Sequence, residues 1–127
     1  YWLHYAEGSA MTPLLLKLLF TLMPKRAPAL LRPLVRKVSN TALSTLVNPQ
    51  LKQHMAYWEG ELGKSEWFAG NDFSGADIQM SFPLEAAAAR GGLEDGHPRC
   101  VAFLERIHAR PAYARALEKG GPYEVGR

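Results

Sequence analysis

Cysteine is nearly missing from this sequence: Cys100 stands alone. One thiol cannot close an internal disulfide, and no C-x-x-C zinc spacing occurs, so no metal site is expected. A disulfide-stapled secreted scaffold is therefore not indicated, and a reducing, cytoplasmic setting is the expectation. Long apolar runs are missing too. The longest, from Pro13 to Pro24, is interrupted by Lys17 and falls short of the ~20 residues that cross a bilayer. β-Branched residues are few and do not alternate with polar ones, so strands are not expected. The phosphate-cradling glycine loop, H-E-x-x-H and G-x-S-x-G are all absent, which removes the commonest local signatures of catalysis. Acidic residues are missing from one whole stretch: none occurs between Gly8 and Trp58.

What is present suits one globular domain. The 127 residues are 47% hydrophobic and 21% charged, with a mean hydropathy of −0.17. A chain of that size can bury a real core. The formal charge of +3 is unevenly spread. The acid-free stretch carries Lys17, Lys25, Arg26, Arg32, Arg36, Lys37 and Lys52, while every acid but Glu7 lies from Glu59 onward. Such a half is either a solvated basic face or a surface for an acidic partner. The sequence opens on Tyr1 rather than on Met, so a segment upstream, including a targeting signal, is compatible with it.

Helix signals are strong. Tyr1 to about Met23 is rich in Leu and aromatics, with a kink or junction expected at Pro13. Met23–Pro28 reads as a break, and a second helix is expected from about Ala29 to Val47. Asn48-Pro49 reads as a fresh start, with Asn48 as the N-cap. Leu51, Met55, Trp58 and Leu62 then fall on one helical face, and Gly63 is a plausible stop. Ser74-Gly75-Ala76-Asp77 has the layout of a capping box, with Phe73 and Ile78 placed as its hydrophobic staple. The helix that follows to about Arg90 is apolar nearly all round and belongs in the centre of a bundle. His97-Pro98 opens a helix with Cys100, Phe103, Leu104 and Ile107 on one face. Pro111 opens a last one to Lys119, closed by Gly120-Gly121-Pro122. Six or seven helices and no strand predict an all-α, multi-helix bundle.

Candidate chemistry is sparse. His97, Cys100 and His108 do not carry the orienting group that a Cys–His pair requires, and a buried inert thiol explains Cys100. His4 and His54 are isolated. Asp77 is explained by its cap. The first helix is the better candidate, because Tyr1, Trp2, His4, Tyr5, Glu7, Ser9 and Met11 crowd aromatic and polar groups together. Gly8 inside it costs about 1 kcal/mol against Ala, which suggests close approach by a backbone or a ligand.

The segment Phe73-Ser74-Gly75-Ala76-Asp77-Ile78-Gln79-Met80-Ser81-Phe82-Pro83-Leu84 resembles the capping-box segment of the C-terminal helical domain of glutathione transferases. Tyr1 to Ser9 with Pro13-Leu14 is similar to the start of that domain in the yeast-type branch and its bacterial relatives, and Arg110-Pro111-Ala112-Tyr113 with Arg115-Ala116-Leu117 resembles its last helices. The resemblance spans essentially the whole chain as a single domain, 1–127. It implies that a thioredoxin-like domain, absent from this chain, binds the co-substrate glutathione and carries the residue that activates its thiol. No catalytic residue is therefore carried over, the domain alone binds no cofactor, and the fragment alone is expected to be inactive. The resemblance further implies a homodimer in detoxification, and a wall for a small hydrophobic electrophile. It places Tyr5, Gly8, Ser9 and Thr12 toward the pocket, with His4 and Glu7 as polar contacts. Ser74, Asp77 and Ile78 resemble the family's folding element.

Three other readings follow from the basic half. A non-catalytic transferase-like module could dock proteins on its basic face. Nucleic-acid binding is not expected, since aromatics are not interleaved with the cations between Lys25 and Lys52. A membrane surface could meet the apolar and basic stretch Leu14–Lys37, although bundle packing would use the same leucines.

Overall fold

The computed structural model describes residues 1–121, and all of its regular structure among these is helical. Five continuous helices form it. We number them α1 (2–26), α2 (32–61), α3 (Gly75–Arg90), α4 (Pro98–His108) and α5 (Pro111–Gly120). The first two are composites. α1 joins Trp2–Tyr5 and Met11–Arg26 through a π turn at Ala6–Ala10, and α2 joins Arg32–Ala42 and Asn48–Glu61 through a π turn at Leu43–Val47. The all-α bundle expected from the sequence is what the chain forms. The expected helix count was higher, because two prolines were read as boundaries.

The reason is local. A proline lacks the N–H that would bond the carbonyl four residues back, and its ring clashes with that carbonyl. For Pro13 that carbonyl belongs to Ser9, and for Pro49 to Thr45. Both lie inside the π turns, where the backbone bonds five residues back instead: Met11 N–H donates to Ala6, and Asn48 N–H to Leu43. The wider turn accommodates the ring and the helix runs on. Asn48 is accordingly not an N-cap. It sits in helical backbone (φ −62°, ψ −39°), and its side-chain oxygen accepts from Lys17 Nζ at 3.2 Å. The break expected at Met23–Pro28 is shorter, since α1 continues through Pro24 to Arg26.

The core lies among the first four helices: α2 and α3 each pack on α1, and α4 packs on both α2 and α3. Ala6, Ala10 and Leu14 of α1, Leu51, Met55 and Trp58 of α2, Met80 and Leu84 of α3, and Cys100, Phe103 and Ile107 of α4 are all buried. Each large apolar side chain buried this way contributes ~1.5–3 kcal/mol. The Ser74 capping box forms as read: the Ser74 hydroxyl accepts from Ala76 N–H at 3.2 Å, and Asp77 Oδ2 accepts from Ser74 N–H at 2.9 Å. Asp77 is completely buried, and its Oδ1 accepts from Phe68 N–H at 2.9 Å, tying the preceding loop to α3. The staple does not follow. Ile78 is 62% exposed, because Phe73 packs instead against Trp67 (ring centroids 5.1 Å apart), with the Arg110 guanidinium 3.5 Å above its ring. Phe82 is exposed as well, so α3 is central without being buried all round. Bundle packing accounts for Leu14 and Leu16, but Leu15, Leu19, Leu30, Leu31 and Leu34 face outward.

α4 and α5 are attached by polar clips. Glu59 of α2 accepts from Arg99 N–H (3.1 and 3.0 Å) and Cys100 N–H (3.0 Å), and so caps the start of α4 from 40 residues away. His97 supplies no side-chain cap. α5 buries none of its residues. Its Tyr113 hydroxyl donates to Glu85 Oε1 at 3.0 Å, which also pairs with His108 Nε2 at 2.8 Å. Gly121 follows α5 with φ +74°; Pro122 lies outside the described residues.

Candidate functional site

The starts of α1 and the second half of α2 build one aromatic and polar wall. Helical spacing brings Tyr1, just ahead of α1, and Tyr5 onto one side, and His54, Tyr57 and Trp58 onto one side of α2. Trp2 is the buried anchor, stacked on Tyr57 (centroids 5.6 Å) and tilted on Phe68 (4.7 Å). Trp58, fully buried, donates its indole N–H to the Tyr5 hydroxyl at 3.0 Å. That hydroxyl lies 2.5 Å from His54 Nδ1. With the oxygen already accepting from Trp58, the phenol proton goes to Nδ1, and the imidazole carries its own proton on Nε2. Burial lowers the His54 pKa, which favours this neutral form.

The same network fixes what Tyr5 can do. Burial pushes its pKa up to about 12, against the indole hydrogen bond, which favours the phenolate; nearby Tyr1 adds a smaller upward push. Tyr5 therefore stays a phenol at neutral pH and supplies no base. Tyr57 is held above its ordinary value as well, chiefly by its hydroxyl contact with Tyr1 at 3.1 Å. The wall offers rings, a neutral imidazole and phenol oxygens, which suits contact with a polarisable apolar molecule.

The six residues singled out in the sequence share this end of α1 and divide into three kinds. Tyr5 is half-buried and committed to His54 and Trp58. Glu7 is committed too, accepting from Gln79 Nε2 of α3. His4, Gly8, Ser9 and Thr12 lie on the exposed side, Glu7 to Ser9 within the π turn, and Thr12 Oγ1 donates to the Gly8 carbonyl at 3.3 Å. Beyond its chain neighbours and the backbone of its own helix, no group among the described residues lies within 4 Å of where a Gly8 Cβ would stand. Packing within this domain thus does not account for the glycine. His54 is the residue that sequence reading passed over. Its signal was present: His54, Tyr57 and Trp58 are spaced i, i+3, i+4 on a helix already read as amphipathic.

Cys100 is enclosed, as expected. It is fully buried, and burial, with the Glu59 carboxylate nearby, holds its thiol well above the usual range. Among the described residues no group of His, Cys, Asp and Glu could hold a metal ion, and no helix is long and apolar enough to cross a membrane.

A helical hairpin, a central capped helix and an aromatic wall at one end define an all-helical domain. The family model for the glutathione S-transferase C-terminal domain matches residues 22–111, and the chain belongs to that family. It is 30% identical over 122 residues to glutathione S-transferase 1 of Saccharomyces cerevisiae, covering 94% of this chain and 52% of the relative. It is 28% identical over 118 residues to glutathione S-transferase 3 of Schizosaccharomyces pombe, covering 93% and 49%. The chain thus spans about half the length of the curated relatives it matches. No solved structure matches it.

Proposed function

We propose that this domain is the helical half of a glutathione transferase of the yeast-type branch, and that it supplies the wall against which a small hydrophobic electrophile is held. The observation that carries this reading is the Trp58–Tyr5–His54 relay, which fixes one face of α1 while leaving the space over Gly8 free. Conjugation needs a thiolate beside an electrophile, and thiolate formation needs donors or positive dipoles at the sulfur. Tyr5 is a committed phenol and Cys100 is buried, so neither serves that step. The activating group belongs on a thioredoxin-like domain joined to this one, with glutathione as co-substrate. Tyr5, Gly8, Ser9 and Thr12 line the electrophile's side and His4 touches it from the edge, while Glu7 positions α1 through Gln79. The outward row of Leu15, Leu19 and Met23 is the apolar surface for the thioredoxin-like domain or for the second subunit of a homodimer. A cytoplasmic, detoxifying role accompanies this reading, and no nucleic acid does.

The test is kinetic. The natural full-length chain should conjugate glutathione to an aryl halide, and residues 1–127 alone should not. Gly8→Leu should raise KM for the halide on the order of tenfold and leave KM for glutathione nearly unchanged, since a bulky group would fill the electrophile's space. Turnover by the 127-residue chain alone, or none by the full-length chain, would overturn the proposal.

A further inference from the structure

The acid-free half of the sequence is organised in space, beyond the wall described above. Arg32, Arg36, Asn40, Ser44, Asn48 and Lys52 recur every four residues along α2. Between them they line three clefts, of about 490, 530 and 930 Å³. Arg36 and Asn40 are shared by the first two clefts and Ser44 by the last two. The three clefts succeed one another along α2 as an interrupted trough, whose lining also includes Lys25 at one end, Lys37 in the middle and Lys17 at the other. From residue 32 to residue 52 its length is about 30 Å at ~1.5 Å per residue.

Among the described residues, none of Lys17, Lys25, Arg32, Arg36, Lys37 and Lys52 pairs with a carboxylate. Lys17 meets the Asn48 amide oxygen and Arg32 a backbone carbonyl. Asp95, at the far end beside His97, is the one acid of the lining among the described residues.

We infer that this trough binds an extended acidic polypeptide segment. Three observations choose that occupant. About nine residues of extended chain, at ~3.3 Å each, span 30 Å. The amide and hydroxyl groups of Asn40, Ser44 and Asn48 between the cations match a peptide backbone, which alternates donors and acceptors. A single nucleic-acid strand would want a ladder of stacking rings, and the trough offers Phe20 and His97 only at its two ends. A second copy of this chain fits worse, because a two-fold contact would set the same cations against one another.

The test uses the natural full-length chain and a fluorescein-labelled nine-residue Glu/Gly peptide, read by anisotropy at about 50 and about 300 mM salt. The Glu peptide should bind and weaken with salt, and its Gln analogue should not bind. Arg36→Gln with Lys52→Gln, both at exposed positions, should weaken binding on the order of tenfold with an unchanged circular dichroism spectrum. Arg36→Glu should bind a peptide carrying one Lys better than the all-Glu peptide. Equal binding of the Gln peptide, an unaffected double variant, no binding by the full-length chain, or tighter binding of an oligonucleotide of equal charge would each overturn the inference. Conjugation activity is a separate readout, so failure here leaves the transferase reading standing.

Discussion

Asp77 is the residue whose removal should cost this domain most per atom lost. It is completely buried and accepts two backbone N–H bonds at 2.9 Å, from Phe68 and from Ser74, while the Ser74 hydroxyl lies 3.4 Å from Oδ2. It also stands in the first turn of α3, where the helix dipole favours negative charge. Hydrogen bonds to a charged acceptor contribute ~1.5–3 kcal/mol each. Asp77→Ala strands both donors at once, so the expected loss is about 3–5 kcal/mol, set against a typical total of ~5–15. Asp77→Asn keeps one oxygen but turns an amide donor toward one of the two N–H groups, and about 2–3 kcal/mol should go. Ser74→Ala removes the cap to Ala76 and the long hydroxyl contact with Asp77 Oδ2 and should cost ~1 kcal/mol. Urea unfolding followed by helical circular dichroism measures all three. With a slope near ~1.5 kcal/mol per molar, the Ala variant should move the midpoint down by about 2–3 M. A loss under ~1 kcal/mol for Asp77→Ala, or an Asp77→Asn variant as stable as the parent, would refute the reasoning.

Three further outcomes are expected. Glu59→Gln should destabilise by about 1–3 kcal/mol, because it weakens the carboxylate cap on Arg99 and Cys100, and hydrogen exchange should show the loss concentrated in α4; uniform loss across α2 and α4 would contradict the cap. His54 has a folded-state pKa below its ordinary 6.5, so its contribution is fully present above that value and is lost as pH falls below it, since the unfolded state then binds more protons. Between about pH 7.5 and about 5.5 the parent should lose more stability than His54→Gln, and equal losses would count against the burial of that ring. Cys100 should resist thiol reagents at about pH 8 until the chain opens, then react once per molecule; stoichiometric labelling of the native chain within minutes would show that the thiol is not enclosed.

The fold was more legible in the sequence than the attachments that hold it. The Ser74 box and the Leu51–Met55–Trp58 face are local patterns, and local patterns can be read from spacing alone. Glu59 caps a helix 40 residues away, and Glu85 clips α5 through Tyr113 and His108; no spacing rule reaches such pairs. The staple was misread for a related reason. Phe73 had a better partner in Trp67 and Arg110 than in Ile78, and tertiary packing overrides a local rule.

Proline was the other limit, and it bears on the site. Pro13 and Pro49 were read as ends because the usual outcome for a proline inside a helix is a break. Each instead follows a π turn that holds the carbonyl it would strike, although Pro83 sits inside α3 without one. The first π turn contains Glu7, Gly8 and Ser9. One insertion therefore keeps α1 unbroken past Pro13 and also sets the side on which the glycine faces open space. A π turn widens the helix at a cost in hydrogen-bond geometry and recurs at functional positions. Its presence here ties the continuity of α1, from the Tyr5 relay to the exposed leucines, to the same five residues that border the wall.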